Sequence, residues 1–360
     1  TQKVSASEMQ SAFRSIRTTT RNRRTIQVNV DNDQPDLARV NKTVCEWLSR
    51  HGLPSTKQTE SLRGDASDRR FVRVRLSSDT SRVLVVHKEA IDENNLPLLQ
   101  IADLLQRIPI AIPTIYGVDA DLGIIEVEDL GDETLEIAVS ETADGSKHRA
   151  TYEKAVNIIV DLQRGGRLLQ ERGYKLFNSA FDKAKFLFEL EFFLEQFIEK
   201  HRQTAISEKV RSTIMEEFSV LASEMAAEPR VVCHRDFHSR NLMKHRQQLY
   251  VIDYQDTRLG PDMYDLASLL RDSYVELPTD TVEHLLIYYA KSMKIDYNTN
   301  LRERFVRTAL QRNLKALGTF GYQIAVQDNH RYKDAVTRTI SYVKRTLQTD
   351  GRYAILNNAL

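Results

Sequence analysis

Two short apolar runs, Val231-Val-Cys233 and Leu249-Tyr-Val-Ile252, interrupt a stretch of chain that is otherwise patterned for helices. Between them lies His234-Arg-Asp-Phe-His-Ser-Arg-Asn241, and Asp253 directly follows the second run. Short β-rich runs separated by polar residues read as strands joined by a bend. On either side, 3.6-residue apolar periods dominate, at about 149–164, 181–200, 207–227, 280–293, 299–325 and 331–348. A helical body must therefore enclose a small hairpin whose bend presents chemically capable side chains.

Upstream the pattern is different. Phe71-Val-Arg-Val-Arg-Leu76 and Arg82-Val-Leu-Val-Val-His-Lys88 read as a hairpin closed by a five-residue loop. A helix is expected across about 92–107, and two more strands at 114–118 and 123–128. Val44, Trp47 and Leu48 recur at helical spacing in an amphipathic segment that ends before Gly52 and Pro54. The expectation is an α+β fold of two lobes, a small antiparallel sheet with one helix followed by a larger, mainly helical lobe.

Composition bounds what such a chain does. With 360 residues, 41% hydrophobic content and a formal charge of +1, it has material for two cores and no excess charge to keep it unfolded. The near-neutral balance removes the electrostatic case for a dedicated nucleic-acid surface. No apolar run approaches the ~20 residues needed to span a bilayer, and the N-terminus lacks the apolar core of a secretory signal, so a cytoplasmic protein is expected. Cys45 and Cys233 form no paired motif for a disulfide framework or a zinc site. Over residues 1–24, six cations face Glu8 alone, which predicts a basic flexible tail extending to about residue 35.

Phosphoryl transfer from a nucleotide needs a carboxylate near the acceptor hydroxyl and oxygen ligands that hold magnesium on the phosphates. Asp236 and Asn241, five apart on the bend, supply one of each, and Asp253 completes the metal site with a full negative charge. Lys88 ends a strand where an ammonium would neutralise nucleotide phosphates, with Glu93 as its partner in the following helix. Gly64 and Ser67, in Arg63-Gly-Asp-Ala-Ser67, would let backbone N–H groups approach phosphates. Neither a G-x-G-x-x-G nor a G-x-x-x-x-G-K-[ST] occurs, so no Rossmann fingerprint or P-loop is present. Glu128-Asp-Leu-Gly131 falls where strand character gives way to helix, as expected of a hinge whose backbone meets an adenine edge.

Together, His234 to Asn241, Ile252-Asp-Tyr-Gln-Asp256 and Gly260-Pro-Asp-Met-Tyr-Asp-Leu266 resemble the aminoglycoside phosphotransferase and choline kinase superfamily, relatives of the protein kinases. Gly64-Asp-Ala-Ser67 before Arg69-Arg70-Phe71, Ser268-Leu-Leu-Arg-Asp272 and Gln311-Arg-Asn-Leu-Lys-Ala-Leu-Gly318 are most similar to its bacterial cell-wall recycling branch. That branch phosphorylates N-acetylmuramate and N-acetylglucosamine at the anomeric hydroxyl. The resemblance implies a bilobal protein-kinase-like fold, with a nucleotide-binding lobe at 36–130 and a catalytic, acceptor-binding lobe at 131–360. It implies ATP as donor, Mg²⁺ as cofactor, Asp236 as catalytic base, Asn241 and Asp253 as metal ligands, and the backbone of Glu128 to Leu130 as the adenine contact. It places Arg240 and Gln255 at the border of the acceptor pocket, and His234, Tyr264 and Asp265 as supports of the bend. It also implies a Trp in the helix around 189–197, where this chain has Gln196.

Two other readings stay open at this level. Glu189, Glu191 and Glu195, with Phe192, Phe193 and Phe197 beside them, suit a cationic acceptor such as an aminoglycoside, choline or ethanolamine. A non-catalytic nucleotide-binding relative is the third, although Asp236, Asn241 and Asp253 are all retained. Asp236→Asn is expected to abolish turnover while ATP still binds, and Asp253→Ala to remove metal-dependent activity. Wild-type turnover in either variant, in an ADP-release assay, refutes these assignments.

Overall fold

The β-rich runs of the first third assemble as one five-stranded antiparallel sheet. The computed structural model describes residues 34–54, 58–62, 69–140, 145–176, 178–349 and 351–360, so the expected basic tail, Gly64 and Ser67 lie outside the described residues. The strands are β1 (Thr59–Leu62), β2 (Arg70–Arg75), β3 (Ser81–Val86), β4 (Ile115–Asp119) and β5 (Ile124–Glu128), in the order β1-β2-β3-β5-β4. Val85 lies opposite Ile125 and Val83 opposite Val127. β1 went unread in the sequence because Thr59-Glu-Ser-Leu62 has no apolar alternation; it is an edge strand held by its ladder to β2.

The chain divides into two compact units, Thr1–Gly52 and Leu53–Leu360. In the first, helix α1 (Gln34–Arg50) carries Val40, Val44, Trp47 and Leu48 along one face, and Trp47 stacks on His51 with ring centroids 4.0 Å apart. The second holds the sheet and every other element described below.

Between β3 and β4 the expected helix is shorter than the periodicity indicated. Asp92 caps a single 3₁₀ turn, Glu93–Asn95, and α2 (Pro97–Gln106) begins only at its proline. Proline lacks the N–H that a continuous helix would need and is favoured at the first helical position, which sets the start. Leu98, Ile101, Leu104 and Leu105 then bury against Val85 and Ile125 of the sheet, in a core that continues through Tyr152 and Ile159 to Leu266 and Leu270.

The remainder is helical: α3 (Leu135–Ser140), α4 (Gly145–Glu171), α5 (Lys183–Phe193), α6 (Glu208–Ala227), α7 (Tyr264–Leu270), α8 (Thr279–Met293), α9 (Thr299–Ala325), α10 (Lys333–Thr349) and α11 (Ala354–Ala359). Asp182, Ser207 and Asn298 accept from backbone amides at the starts of α5, α6 and α9. α5 continues as a π-type segment, Leu194–His201. The two apolar runs around the polar bend do not pair with each other. β6 (Arg230–Cys233) pairs with β9 (Arg258–Pro261), and β7 (Leu242–His245) with β8 (Gln248–Val251). The bend thus crosses from one two-stranded ladder to the other.

α9 runs close along α5 and its π-type extension because glycine stands at two contacts. A Cβ on Gly321 would come within 2.7 Å of the Gln196 carbonyl oxygen and 2.8 Å of the Phe197 Cα, and one on Gly318 within 2.9 Å of the Phe193 Cα. Backbone cannot yield as a flexible side chain does. Gly321→Ala is therefore expected to cost about 1–3 kcal/mol and lower the melting temperature by several degrees. Gly351→Ala, whose added Cβ meets nothing within 4 Å, should leave the melt unchanged by differential scanning fluorimetry.

Candidate active site

The bend that follows β6 is fixed from below by one buried carboxylate. Asp265, at the start of α7, accepts the His234 amide on one oxygen at 2.7 Å and the Arg235 amide on the other at 2.9 Å. Arg235 takes a left-handed backbone conformation, φ 85°, which an arginine holds only when its surroundings impose it. The His234 ring, through Nε2, lies 3.0 Å from the Ile252 carbonyl and so ties the bend to the end of β8. Asp272 repeats the device one step later, accepting the amides of Ser239 and Tyr274, each at 2.8 Å. Burial raises the carboxyls of both Asp265 and Asp272, and the amide donors oppose that rise.

This support holds Asn241 to the backbone of Asp236 on one side and beside the residue before Asp253 on the other. Asn241, in the 3₁₀ turn Ser239–Asn241, donates its side-chain N–H to the Asp236 carbonyl at 2.9 Å, which turns its amide oxygen away from that bond. Its own carbonyl accepts the Ile252 amide at 3.1 Å, so Asn241 lies beside the residue that precedes Asp253. Asp253 has φ 60°, a conformation that Asp and Asn tolerate better than other side chains with a Cβ. One of its oxygens accepts from Arg69 at 3.1 Å and from Gln255 at 2.8 Å. The donor set is one carboxylate and one amide oxygen on adjoining backbone. Such hard oxygens suit Mg²⁺, which takes one or two carboxylates and completes its shell with water and phosphate.

Three cations surround Asp236. Its Oδ1 accepts from the Lys315 ammonium at 2.7 Å and from Arg312 at 3.3 Å, while Arg235 stands 4.0 Å from Oδ2. Burial works to raise the Asp236 carboxyl, but Lys315, Arg235 and Arg312 outweigh it and hold the group well below the usual carboxylate range. Its side chain remains a quarter exposed. Arg312 also donates to the Arg235 carbonyl at 2.5 Å. The Arg235 guanidinium lies between Asp256 at 3.0 Å and Glu189 at 3.4 Å, and Glu189 in turn accepts from Gln311 at 2.9 Å. Burial pushes His238 down to about 3, so its ring is neutral, and it sits edge-on to Tyr274.

Other residues singled out in the sequence stand elsewhere. Glu191 and Glu195 turn to Arg211 and Lys200, at 3.8 and 2.7 Å. Each residue advances a helix by about 100°, so the face of α5 that carries Glu189 to the bend carries Glu191 away from it. Gln196 is buried, with its side-chain oxygen 3.3 Å from the Lys200 ammonium. Arg240 makes a bidentate pair with Glu136, at 2.7 and 3.1 Å, and lies over the Tyr274 ring. Lys88 is exposed, two residues past the end of β3, and Glu93 is exposed in the 3₁₀ turn rather than within a helix. At the hinge the Glu128 carboxylate accepts from Thr114, and the Leu130 carbonyl lies 3.0 Å from His245 Nδ1. Between them Asp129 receives a bidentate pair from Arg73 of β2, at 2.7 and 3.0 Å, and Arg73 extends to Asp132 at 2.8 Å and Glu60 at 3.2 Å.

Lys315, Arg312, Arg69 and Arg73 were not singled out as site residues, and Glu189 was read only as part of a pocket for a cationic acceptor. One signal existed for two of them: Arg312 and Lys315, three apart, break the apolar pattern of Leu310, Leu314 and Leu317 on a helix face that is otherwise buried.

Comparison with known proteins accords with this arrangement. A profile of the phosphotransferase enzyme family matches residues 59–303. The N-acetylmuramate/N-acetylglucosamine kinase of Neisseria meningitidis is 29% identical over 300 residues, covering 81% of this chain and 85% of that protein. The kinase of the same name from Pseudomonas putida is 27% identical over 291 residues, covering 79% and 81%. Among solved structures, a putative aminoglycoside phosphotransferase from Ralstonia eutropha superposes with a TM-score of 0.57 at 13% identity, over 84% of this chain and 98% of that one. A choline/ethanolamine kinase family protein from Mesorhizobium loti does so with 0.57 at 15%, over 90% and 99%. These two structures share the fold.

Asp265→Asn replaces an acceptor with an N–H₂ that faces a backbone N–H. It is expected to lower the unfolding free energy by about 1–3 kcal/mol in chemical denaturation. Glu191→Gln, at an exposed pair, should change it by less than about 0.5 kcal/mol.

Proposed function

This chain belongs to the phosphotransferase enzyme family and transfers phosphate to a hydroxyl acceptor, and from that premise we propose that it is an ATP-dependent kinase acting on the anomeric hydroxyl of an N-acetylated amino sugar, N-acetylmuramate or N-acetylglucosamine, in cell-wall sugar recycling. The names of the two relatives support the acceptor class. The observation that carries it is the charge around Asp236. Lys315, Arg312, Arg235, Lys185 and Arg258 are set against Asp236, Glu189 and Asp256. A cationic acceptor would enter that field against repulsion, whereas a neutral sugar or one bearing a carboxylate is accommodated or attracted. Of the groups that suited a cationic acceptor, Glu191 and Glu195 are paired elsewhere, and Glu189 is engaged by Arg235 and Gln311.

The strength of the base points the same way. A carboxylate held well below its usual range is a poor match for an ordinary alcohol, because proton transfer works best between groups of similar acidity. An anomeric hydroxyl is more acidic than an alkyl one, so Asp236 serves by orienting it and accepting its proton late. Asn241 and Asp253 are the proposed holders of Mg²⁺, which when bound supplies charge neutralisation on the donor phosphates. Backbone groups of Glu128 to Leu130 are the proposed adenine contact. Most of the acceleration then comes from positioning and from the fixed charges. Dependence on ATP would place the reaction in the cytoplasm. Among the described residues, no helix is long and apolar enough to cross a membrane.

A coupled ADP-release assay over neutral amino sugars, carboxylate-bearing amino sugars, aminoglycosides and choline tests this reading. The amino sugars are expected to exceed the cationic acceptors by at least about 100-fold in kcat/KM. Phosphorus NMR of the product should show an anomeric phosphate rather than one on carbon 6. Preference for an aminoglycoside or choline overturns the acceptor assignment.

A further inference from the structure

We propose that Lys315 is a catalytic residue of this site, its ammonium bridging Asp236 and the phosphoryl group in transit. The inference rests on the phosphotransferase reading and adds a participant from α9, outside the bend. The Lys315 side chain is 16% exposed, and an ammonium taken that far from water needs compensation from anions. Among the described residues it uses one of its three N–H donors, on Asp236 Oδ1 at 2.7 Å. Arg312 already pairs with that same oxygen and Arg235 flanks the other, so one carboxylate faces three cations. The balance leaves positive charge in excess at the spot where a hydroxyl would meet Asp236. Lys315 makes the shortest of the three contacts, and among the described residues its two other N–H donors have no partner until a further anion arrives.

Distance identifies that anion. A hydroxyl that donates to Asp236 stands a hydrogen bond, about 2.7 Å, from a carboxylate oxygen. When that oxygen is Oδ1, Lys315 Nζ lies within about 5 Å of the attacking oxygen, and its remaining N–H donors reach the outer oxygens of the phosphorus being attacked. Lys315 is also long and flexible enough to follow charge over that distance, which the planar, doubly engaged Arg312 is not.

The step balances as follows. The hydroxyl proton passes to Asp236 Oδ1, the oxygen that Lys315 faces, and the bond from the acceptor oxygen to the terminal phosphorus forms. The bond from that phosphorus to the bridging oxygen breaks, with its electron pair leaving on ADP. As Asp236 is neutralised by the proton, Lys315 transfers its attraction to the negative charge on the outer phosphoryl oxygens. The ammonium is therefore anchored before transfer by Asp236 and during transfer by the phosphate.

The test compares Lys315→Met, Lys315→Gln and Lys315→Arg in the full chain. Thermal melts establish folding, and Lys315→Gln, which keeps a hydrogen-bond donor without charge, stands in should Lys315→Met not fold. Both uncharged variants are expected to lose about 10²–10³ in kcat with acceptor KM nearly unchanged, and Lys315→Arg to restore part of it. Nucleotide binding supplies a readout independent of turnover. ADP affinity, by calorimetry, should be unchanged, while affinity for ADP with aluminium fluoride, a mimic of the phosphoryl group in transit, should fall at least about tenfold. Unchanged affinity for that mimic, or kcat within about threefold of wild type in an uncharged variant, overturns the proposal. A wild type that releases ADP with no acceptor at all would instead refute the phosphotransferase reading itself.

Discussion

One ion without a counter-cation at contact distance underlies the site. Asp265 is fully buried at the head of α7, and both its oxygens are taken by the amides of His234 and Arg235. A carboxylate in that position is costly to desolvate, and the cost is offset only while two backbone N–H groups point at it. The requirement runs in both directions. The amides must converge, so Arg235 is forced into its left-handed conformation, and that turn is what lifts Asp236 out of the line of β6. The strain at Arg235 is further countered by Asp256, Glu189 and the Arg312 contact to its carbonyl.

From that bend outward, electrostatics rather than shape differentiates the site. Three cations gather on Asp236, so a ligand that reaches this carboxylate meets positive charge beside it. That combination depresses Asp236 as a base and attracts phosphate at the same time. The two effects fit each other only when the acceptor hydroxyl is itself acidic. The neutral ring of His238, packed edge-on to Tyr274, adds rigidity to the bend without adding charge, as its burial dictates.

What could be read beforehand divides along physical lines. Long amphipathic periods exposed the helices well; α9 was expected over 299–325 and occupies Thr299–Ala325. α7 left no such trace, because all seven of its residues are buried and it has no polar face to set a period. β9, Arg258-Leu-Gly-Pro261, carries two residues that normally discourage strands and exists because β6 pairs with it. In the site, Asp236, Asn241 and Asp253 were legible because they share one short segment. Lys315 and Arg69 were not, since they meet their carboxylates across 79 and 184 residues of chain. Such contacts are decided by tertiary packing, above all by the glycines that let α9 approach α5.

The Arg73 cluster has a mechanical corollary. Through it Asp129 and Asp132 are both held to the sheet. The residues between and after them are held to the β7–β8 ladder: the Leu130 carbonyl lies 3.0 Å from His245 Nδ1, Glu133 accepts the Lys244 amide through its carbonyl and the Lys244 ammonium through its carboxylate, both at 2.7 Å, and Thr134 bridges to Met243. The segment is thereby stitched alternately to the sheet and to that ladder, a stiff seam rather than a flexible strap.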